Sequence, residues 1–166
     1  PALYRDAEYK HLRWIAYMLA TTQHETKQKF QPVHEDGNIA YFDKYEPGTA
    51  KGKELGNTKP GDGYRYRGRG YVQITGRGHY TTFSRILGID LVSNPDLALV
   101  PETAYKIMSY GMRNGTFTGV SLGRYITASS TDYFEARKVV NWLDVAGPIE
   151  SAARKFEAVL RASLVA

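Results

Sequence analysis

Tyr66-Arg67-Gly68-Arg69-Gly70-Tyr71-Val72-Gln73-Ile74-Thr75-Gly76-Arg77 is the stretch on which the reading of this chain turns, with Gly61-Asp62-Gly63-Tyr64-Arg65 running into it. Glycines at 68, 70 and 76 mark tight turns or close backbone approach. Gln73 and Thr75 alternate with Val72 and Ile74, which puts an amide and a hydroxyl on one face and an aliphatic pair on the other. The pattern predicts a short hairpin within residues 63–75, beside a cleft. Tyr64, Tyr66 and Tyr71 would offer stacking surfaces there, and Arg65, Arg67 and Arg69 donors. The plainer alternative is a solvated basic hairpin.

Outward from this segment the spacing turns helical. From Asp6 to about Gln28, apolar residues recur at Leu12, Ile15, Ala16 and Leu19, with Trp14 and Met18 alongside, and Pro32 marks the end. Gly78–Leu87 reads as a helix closed by Gly88. Pro101 opens another, to about Met112, with Ala104, Tyr105 and Met108 on one face. Ser130 or Thr131 would cap a helix through Val140. Pro148 fits the first turn of a last helix carrying Ile149, Ala153, Phe156 and Leu160 inward. Residues 36–62 read as one long loop, the kind that in a small domain serves function or motion.

The 166 residues, 42% hydrophobic and 13% aromatic, suffice for one domain spanning 1–166 with its own core. No stretch approaches the roughly 18–20 apolar residues of a membrane span. The chain opens at Pro1 with neither methionine nor signal peptide, as expected of a domain from a longer protein. Zero cysteines exclude disulfides and thiolate metal sites and suit synthesis in a reducing cytosol. A net charge of +5 favours polyanionic surroundings: nucleic acid, anionic lipid or an acidic cell envelope.

His24-Glu25-Thr26 closes the first helical run. Cleaving a glycosidic bond needs a proton donor for the leaving oxygen and a carboxylate for the opposite face. Glu25 is the donor candidate, since partial burial at the end of an apolar helix would keep it protonated near neutrality. A solvated surface glutamate beside Lys27 and Lys29 is the competing reading. Glu35, beyond the Pro32 break, and Glu46, in the turn-like Tyr45-Glu46-Pro47-Gly48, are both candidates for the second carboxylate. An inverting reaction needs the pair roughly 6.5–9.5 Å apart, to seat a water. Three other motifs fail. His24-Glu25 begins HExxH, but Gln28 stands at the second histidine; Gly68-Arg69-Gly70 begins GxGxxG, but Gln73 replaces the third glycine; no phosphate loop occurs.

Taken together, these residues resemble glycoside hydrolase family 19, and within it the endolysin-type muramidases of phages and bacteria. The likeness is carried by Ala20-Thr21-Thr22-Gln23-His24-Glu25-Thr26, Leu55-Gly56-Asn57-Thr58, Gly61-Asp62-Gly63, the stretch 66–77, and Asn94-Pro95-Asp96 to Pro101-Glu102. It covers most of residues 12–160. Two departures stand out. The family often has asparagine before tyrosine where this chain has His79-Tyr80, and Ile-Asn-Gly-Gly where it has Val140-Asn141-Trp142-Leu143. The absent cysteines separate it from disulfide-bonded plant chitinases.

The resemblance implies a mainly α, lysozyme-like two-lobed fold with a small β-hairpin beside the cleft. It carries the general acid onto Glu25 and substrate or water positioning onto Gln73 and Thr75. It divides the second carboxylate between Glu35, preferred, and Glu46. His24, Tyr64, Arg69 and Asn141 complete the expected substrate contacts. The implied activity is a peptidoglycan hydrolase cutting β-1,4 bonds between N-acetylated amino sugars. It would need no metal or organic cofactor, act as a monomer and meet an anionic envelope. It would be made in the cytoplasm and act on the cell wall, with the route, and whether a wall-binding or targeting segment stands upstream, left open by the residues. Chitin is the runner-up substrate, and a lytic transglycosylase, needing one carboxylate, the third outcome. A nucleic-acid-binding hairpin at Arg65–Arg69 and an inactive glycan-binding relative are the readings from other classes.

Overall fold

The structure, a computed structural model, describes residues 12–163. It is mainly helical and divides into two compact units. One holds the described residues up to Phe30 together with those from Met108 onward, and the other holds Gln31–Ile107.

In the first unit, α1 (Leu12–Glu25) buries the run Ile15–Met18 and Ala20–Thr22, so it is core on most of its circumference. The last helix, α7 (Ala146–Ser163), packs against it and buries Ile149, Ala153 and Leu160, while Phe156 is half-buried. Tyr17 stacks on Tyr133 with ring centroids 6.1 Å apart, and the Tyr133 hydroxyl donates to Glu157 on α7 at 2.9 Å. The helix expected from Ser130 or Thr131 begins later. Thr131 instead bridges Ile126, and Asp132 caps by accepting from the Glu135 N–H, giving a 3-10 turn Glu135–Arg137 and then a short helix, α6 (Lys138–Asn141). The part of the first helical run before Leu12 lies outside the described residues.

In the second unit, the expected long loop is largely ordered into helical turns. Asn38 accepts from the Tyr41 N–H and opens a 3-10 helix, Ile39–Tyr45. Thr49 accepts from the Gly52 N–H and opens α2 (Ala50–Glu54). Both are side-chain caps that polar composition disguises as loop. Gly61, left-handed at φ 85°, starts α3 (Asp62–Arg65), so the front of the expected hairpin is helical. The β element is a two-stranded antiparallel sheet, β1 (Val33–His34) against β2 (Arg69–Gly70), with Val33 opposite Gly70. Arg69 also bridges Ile74 across a tight turn in which Gly70 and Gln73 both have positive φ. α4 (Gly76–Leu87) ends on a left-handed Gly88, as its sequence predicts. Gly76 is required because a Cβ there would strike Leu55. α5 (Pro101–Asn114) begins in this unit and from Met108 onward belongs to the first. Among the described residues no helix is long and apolar enough to cross a membrane, and no cluster of three or more His, Asp or Glu could hold a metal ion.

Candidate active site

Glu25 is the last residue of α1, with its side chain 17% exposed. Its partner is not an apolar pocket but a cation: Arg137 Nη1 lies 2.9 Å from Glu25 Oε1, and the arginine is 1% exposed. Arg137 Nε donates to the Asp144 carbonyl at 2.9 Å, which fixes the guanidinium. A charge that deep demands a counterion, so the pair holds the Glu25 carboxylate in place. Nothing in the sequence around Arg137 announces this role.

The chain after Glu25 is wound tightly. Lys27, Gln28 and Phe30 all adopt left-handed φ, at 49°, 65° and 52°. Buried Thr26 latches them: its hydroxyl donates to the Thr22 carbonyl at 2.7 Å and accepts from the Phe30 N–H at 3.0 Å. Phe30 then packs edge-on against Phe156. Left-handed non-glycine residues persist only where surroundings over-determine them, and here they follow the candidate acid directly.

The second cluster lies within the other unit and centres on Gly68. A Cβ on Gly68 would come 2.9 Å from Gln73 Oε1 and 3.3 Å from both Glu35 Oε2 and Thr75 Oγ1. Three polar side chains thus converge on a spot that a hydrogen keeps open. Glu35 is anchored by its own N–H to the Gly68 carbonyl at 2.7 Å. Its carboxylate accepts from the Gly68 N–H at 3.2 Å and from the Tyr45 hydroxyl at 3.1 Å. Burial and the nearby Glu35 charge push the Tyr45 hydroxyl above its ordinary value, so it stays a donor. Gln73 Nε2 donates to the Val33 and Gly70 carbonyls, at 2.7 and 3.0 Å, which aims Oε1 at the cluster. Thr75 Oγ1 donates to the Gln73 carbonyl at 3.0 Å. Gln73 sits in a left-handed turn, not on a strand. Val72 and Ile74 are nonetheless buried and Gln73 and Thr75 half-buried, as the alternation predicts.

Glu46 is occupied elsewhere. Its Oε2 accepts from the Gly61 N–H at 2.8 Å and its Oε1 from the Gly63 N–H at 2.9 Å, tying the turn before α3. Arg69 corrects the expectation of a substrate donor: it is 3% exposed and donates to Asp96, the Arg65 and Arg67 carbonyls and the Tyr80 hydroxyl. Burial pushes that Tyr80 hydroxyl up to about 12. The neighbouring arginines are also engaged within the chain, though Arg65 is exposed and Arg67 half-buried. Arg65 donates to the Val92 and Ser93 carbonyls, Arg67 to the Tyr64 carbonyl, and Arg77 pairs with buried Asp62 at 2.5 Å. Tyr64 is exposed beneath the Arg67 guanidinium. His24 is exposed on the wall of a depression of ≈ 300 Å³, and Asn141 is exposed at the end of α6.

Residues 5–111 match the family model for glycoside hydrolase family 19, chitinase class I. A glycosyl hydrolase family 19 domain-containing protein of Haemophilus influenzae is 53% identical over 36 residues, 22% of this chain and 18% of that protein. The basic 30 kDa endochitinase of Solanum lycopersicum is 36% identical over 107 residues, 57% of this chain and 30% of the endochitinase. The chain therefore matches less than a third of the length of either relative. Chitinase C from Streptomyces griseus HUT6037 shares the fold, with a TM-score of 0.69 at 22% identity over 90% of this chain and 60% of that one.

Proposed function

The chain belongs to glycoside hydrolase family 19, and we propose that it hydrolyses β-1,4 bonds between N-acetylated amino sugars, with Glu25 as general acid and Glu35 as general base. The observation that carries the proposal is the convergence of Glu35 Oε2, Gln73 Oε1 and Thr75 Oγ1 on the space above Gly68. A carboxylate and a hydroxyl at one point can orient a water between them, and the carboxylate can take its proton as it attacks the anomeric carbon. The Gln73 oxygen, its amide nitrogen engaged by two carbonyls, accepts from a substrate N–H. Glu25 protonates the departing O4, and Arg137 stabilises the carboxylate left behind. Glu46 has both oxygens committed to backbone N–H groups and takes no part in the chemistry.

Peptidoglycan is the polymer proposed, met at the cell wall after synthesis in the cytoplasm. The net charge of +5 supports it, because bacterial envelopes carry anionic polymers and lipids. Chitin is the second reading, supported by the chitinase names of the matched relatives.

The test is digestion of purified peptidoglycan and of chitin oligomers by the wild type, Glu25→Gln, Glu35→Gln and Glu46→Gln. Mass spectrometry of the products is combined with proton NMR of the new anomer. Reducing ends released first as the α-anomer, and lost with Glu25→Gln and Glu35→Gln but kept with Glu46→Gln, are expected. Retained activity in Glu35→Gln would overturn the base assignment. Anhydro-sugar ends would replace hydrolysis with transglycosylation, and cleavage of chitin alone would replace the polymer.

A further inference from the structure

Tyr45 is the last residue of the 3-10 helix Ile39–Tyr45. Side chains three apart eclipse in such a helix, so Tyr45 follows Phe42, which is fully buried, on one face. Their ring centroids lie 6.1 Å apart with the planes tilted by 48°. The exposed Lys44 ammonium stands 3.5 Å from the Tyr41 ring centroid and 4.8 Å from that of Tyr45. The backbone is held as firmly as the ring. Buried Asn57 donates from Nδ2 to the Tyr45 carbonyl at 2.8 Å, and its Oδ1 accepts from the Arg77 N–H at 2.7 Å. One amide thus ties Tyr45 to the first turn of α4, just beyond Thr75. A Cβ on Gly52 would come 2.6 Å from the same Tyr45 carbonyl, so α2 closes over it. These ring and backbone contacts would be met equally well by phenylalanine. What they leave unexplained is the hydroxyl, which donates to Glu35 Oε1 at 3.1 Å.

The two oxygens of Glu35 are treated differently. Oε1 takes the Tyr45 hydroxyl, while Oε2 takes the Gly68 N–H at 3.2 Å and shares the space above Gly68 with Gln73 Oε1 and Thr75 Oγ1. Burial and the Glu35 charge hold the phenol protonated, with the Lys44 charge opposing them, so it remains a donor. Resting on the proposal that Glu35 is the general base, we propose that Tyr45 is its positioning residue, occupying Oε1 and leaving Oε2 to take the proton of the attacking water. The water oxygen bonds the anomeric carbon as the glycosidic bond breaks. Its proton passes to Glu35 Oε2, and the proton of Glu25 goes to the departing O4. Once Oε2 is protonated, Oε1 is the carbonyl oxygen of the acid and still accepts. The Tyr45 contact therefore persists through the transfer, and the carboxyl plane does not turn. Without the hydroxyl, the carboxylate keeps one backbone N–H donor and can rotate about its last bond, presenting either oxygen to the water.

The test is Tyr45→Phe, which keeps the ring against Phe42 and beneath Lys44 and removes only the hydroxyl. Kinetics are measured on whichever of peptidoglycan strands and chitin oligomers the wild type cleaves, with Glu35→Gln alongside. In Tyr45→Phe, kcat should fall by about tenfold, the worth of one hydrogen bond to a charged group, with KM unchanged. The thermal midpoint should stay near that of the wild type, because the site is half-buried and water can replace the hydroxyl at Oε1. Carbon NMR of protein labelled at the glutamate carboxyls reads the contact directly. The Glu35 Cδ resonance should move in Tyr45→Phe and stay in place in Glu46→Gln. An unmoved resonance, or a wild-type kcat, overturns the role of Tyr45 and leaves Glu35 standing as the base. A loss carried by KM, or one that follows a matching fall in the thermal midpoint, makes the tyrosine a structural residue and overturns it too. Full activity in Glu35→Gln overturns the base assignment, and the positioning role with it.

Discussion

Replacing Gly68 by alanine adds one methyl group at the point where the polar side chains meet. The Gly68 backbone lies outside the left-handed region, so alanine brings no torsional penalty. Its Cβ would stand 2.9 Å from Gln73 Oε1, about 0.5 Å inside the 3.4 Å at which ordinary contact begins, and 3.3 Å from Glu35 Oε2 and Thr75 Oγ1. Gln73 cannot swing clear, because Nε2 is tied to the Val33 and Gly70 carbonyls, so the carboxylate and hydroxyl must yield as well. A misplacement of about 1 Å costs roughly 10²-fold in rate, so half of that costs about tenfold, or ~1.4 kcal/mol of barrier. The methyl also takes the space proposed for the attacking water, which pushes the loss in kcat toward the upper figure. Overpacking should cost about 1–3 kcal/mol of stability, or roughly 2–4 °C in Tm per kcal/mol at this size. Steady-state kinetics well below Tm, with far-UV circular dichroism as the check on folding, separates the two effects. A folded Gly68→Ala enzyme with unchanged kcat would refute the placement of the reaction at this cluster.

Glu46→Gln should behave as a stability variant. It disturbs two N–H contacts of the turn before α3 and should lower stability by about 1–3 kcal/mol, with kcat at 25 °C near wild type. Arg137→Gln removes the countercharge of Glu25. It should cost about 3–5 kcal/mol in denaturant unfolding and reduce kcat together with stability, because the acid loses the group that fixes it. Acid unfolding tests Asp62. Burial works against its charge, but the Arg77 guanidinium and the Thr58 and Lys59 N–H groups outweigh it and hold the carboxyl below the usual range. Its contribution is therefore fully present above the unfolded carboxylate value of about 3.9 and lost as pH falls through the lower folded value. Asp62→Asn should be less stable at neutral pH and show a flatter decline below pH ~4.

The helices were legible where spacing and punctuation agreed. Gly88 closes α4 because glycine enters the left-handed cap without steric cost, and Pro101 opens α5 because its fixed φ suits the first helical turn. The ordered turns within residues 36–62 escaped because their caps, Asn38 and Thr49, belong to the residue types that also dominate loops. The alternation in 66–77 separates Gln73 and Thr75 from buried Val72 and Ile74, though through a partly wrong picture. Its sidedness survives, but Gln73 reaches its position through a left-handed turn that no propensity favours. Arg137 was invisible because its meaning comes from Glu25, more than a hundred residues earlier in the chain.

The choice between Glu35 and Glu46 shows what geometry adds to a motif. Both are glutamates on short connections, and apart from the resemblance, which prefers Glu35, their local sequence offers each the same argument. What separates them is the kind of donor each faces. Glu46 meets two backbone N–H groups of a glycine turn, which cannot rotate away, and breaking either contact would loosen the entry to α3. Glu35 meets one backbone N–H and one phenolic hydroxyl, and a hydroxyl can turn to follow a changing acceptor. Its Oε2 shares the space above Gly68 with a second hydroxyl and an amide oxygen. A general base must exchange one hydrogen-bond partner for another as a proton arrives, without the fold around it giving way. Glu35 has one fixed backbone donor and an oxygen facing a hydroxyl and an amide oxygen, whereas Glu46 has a fixed backbone donor on each oxygen, and this difference is what favours Glu35 as the base proposed.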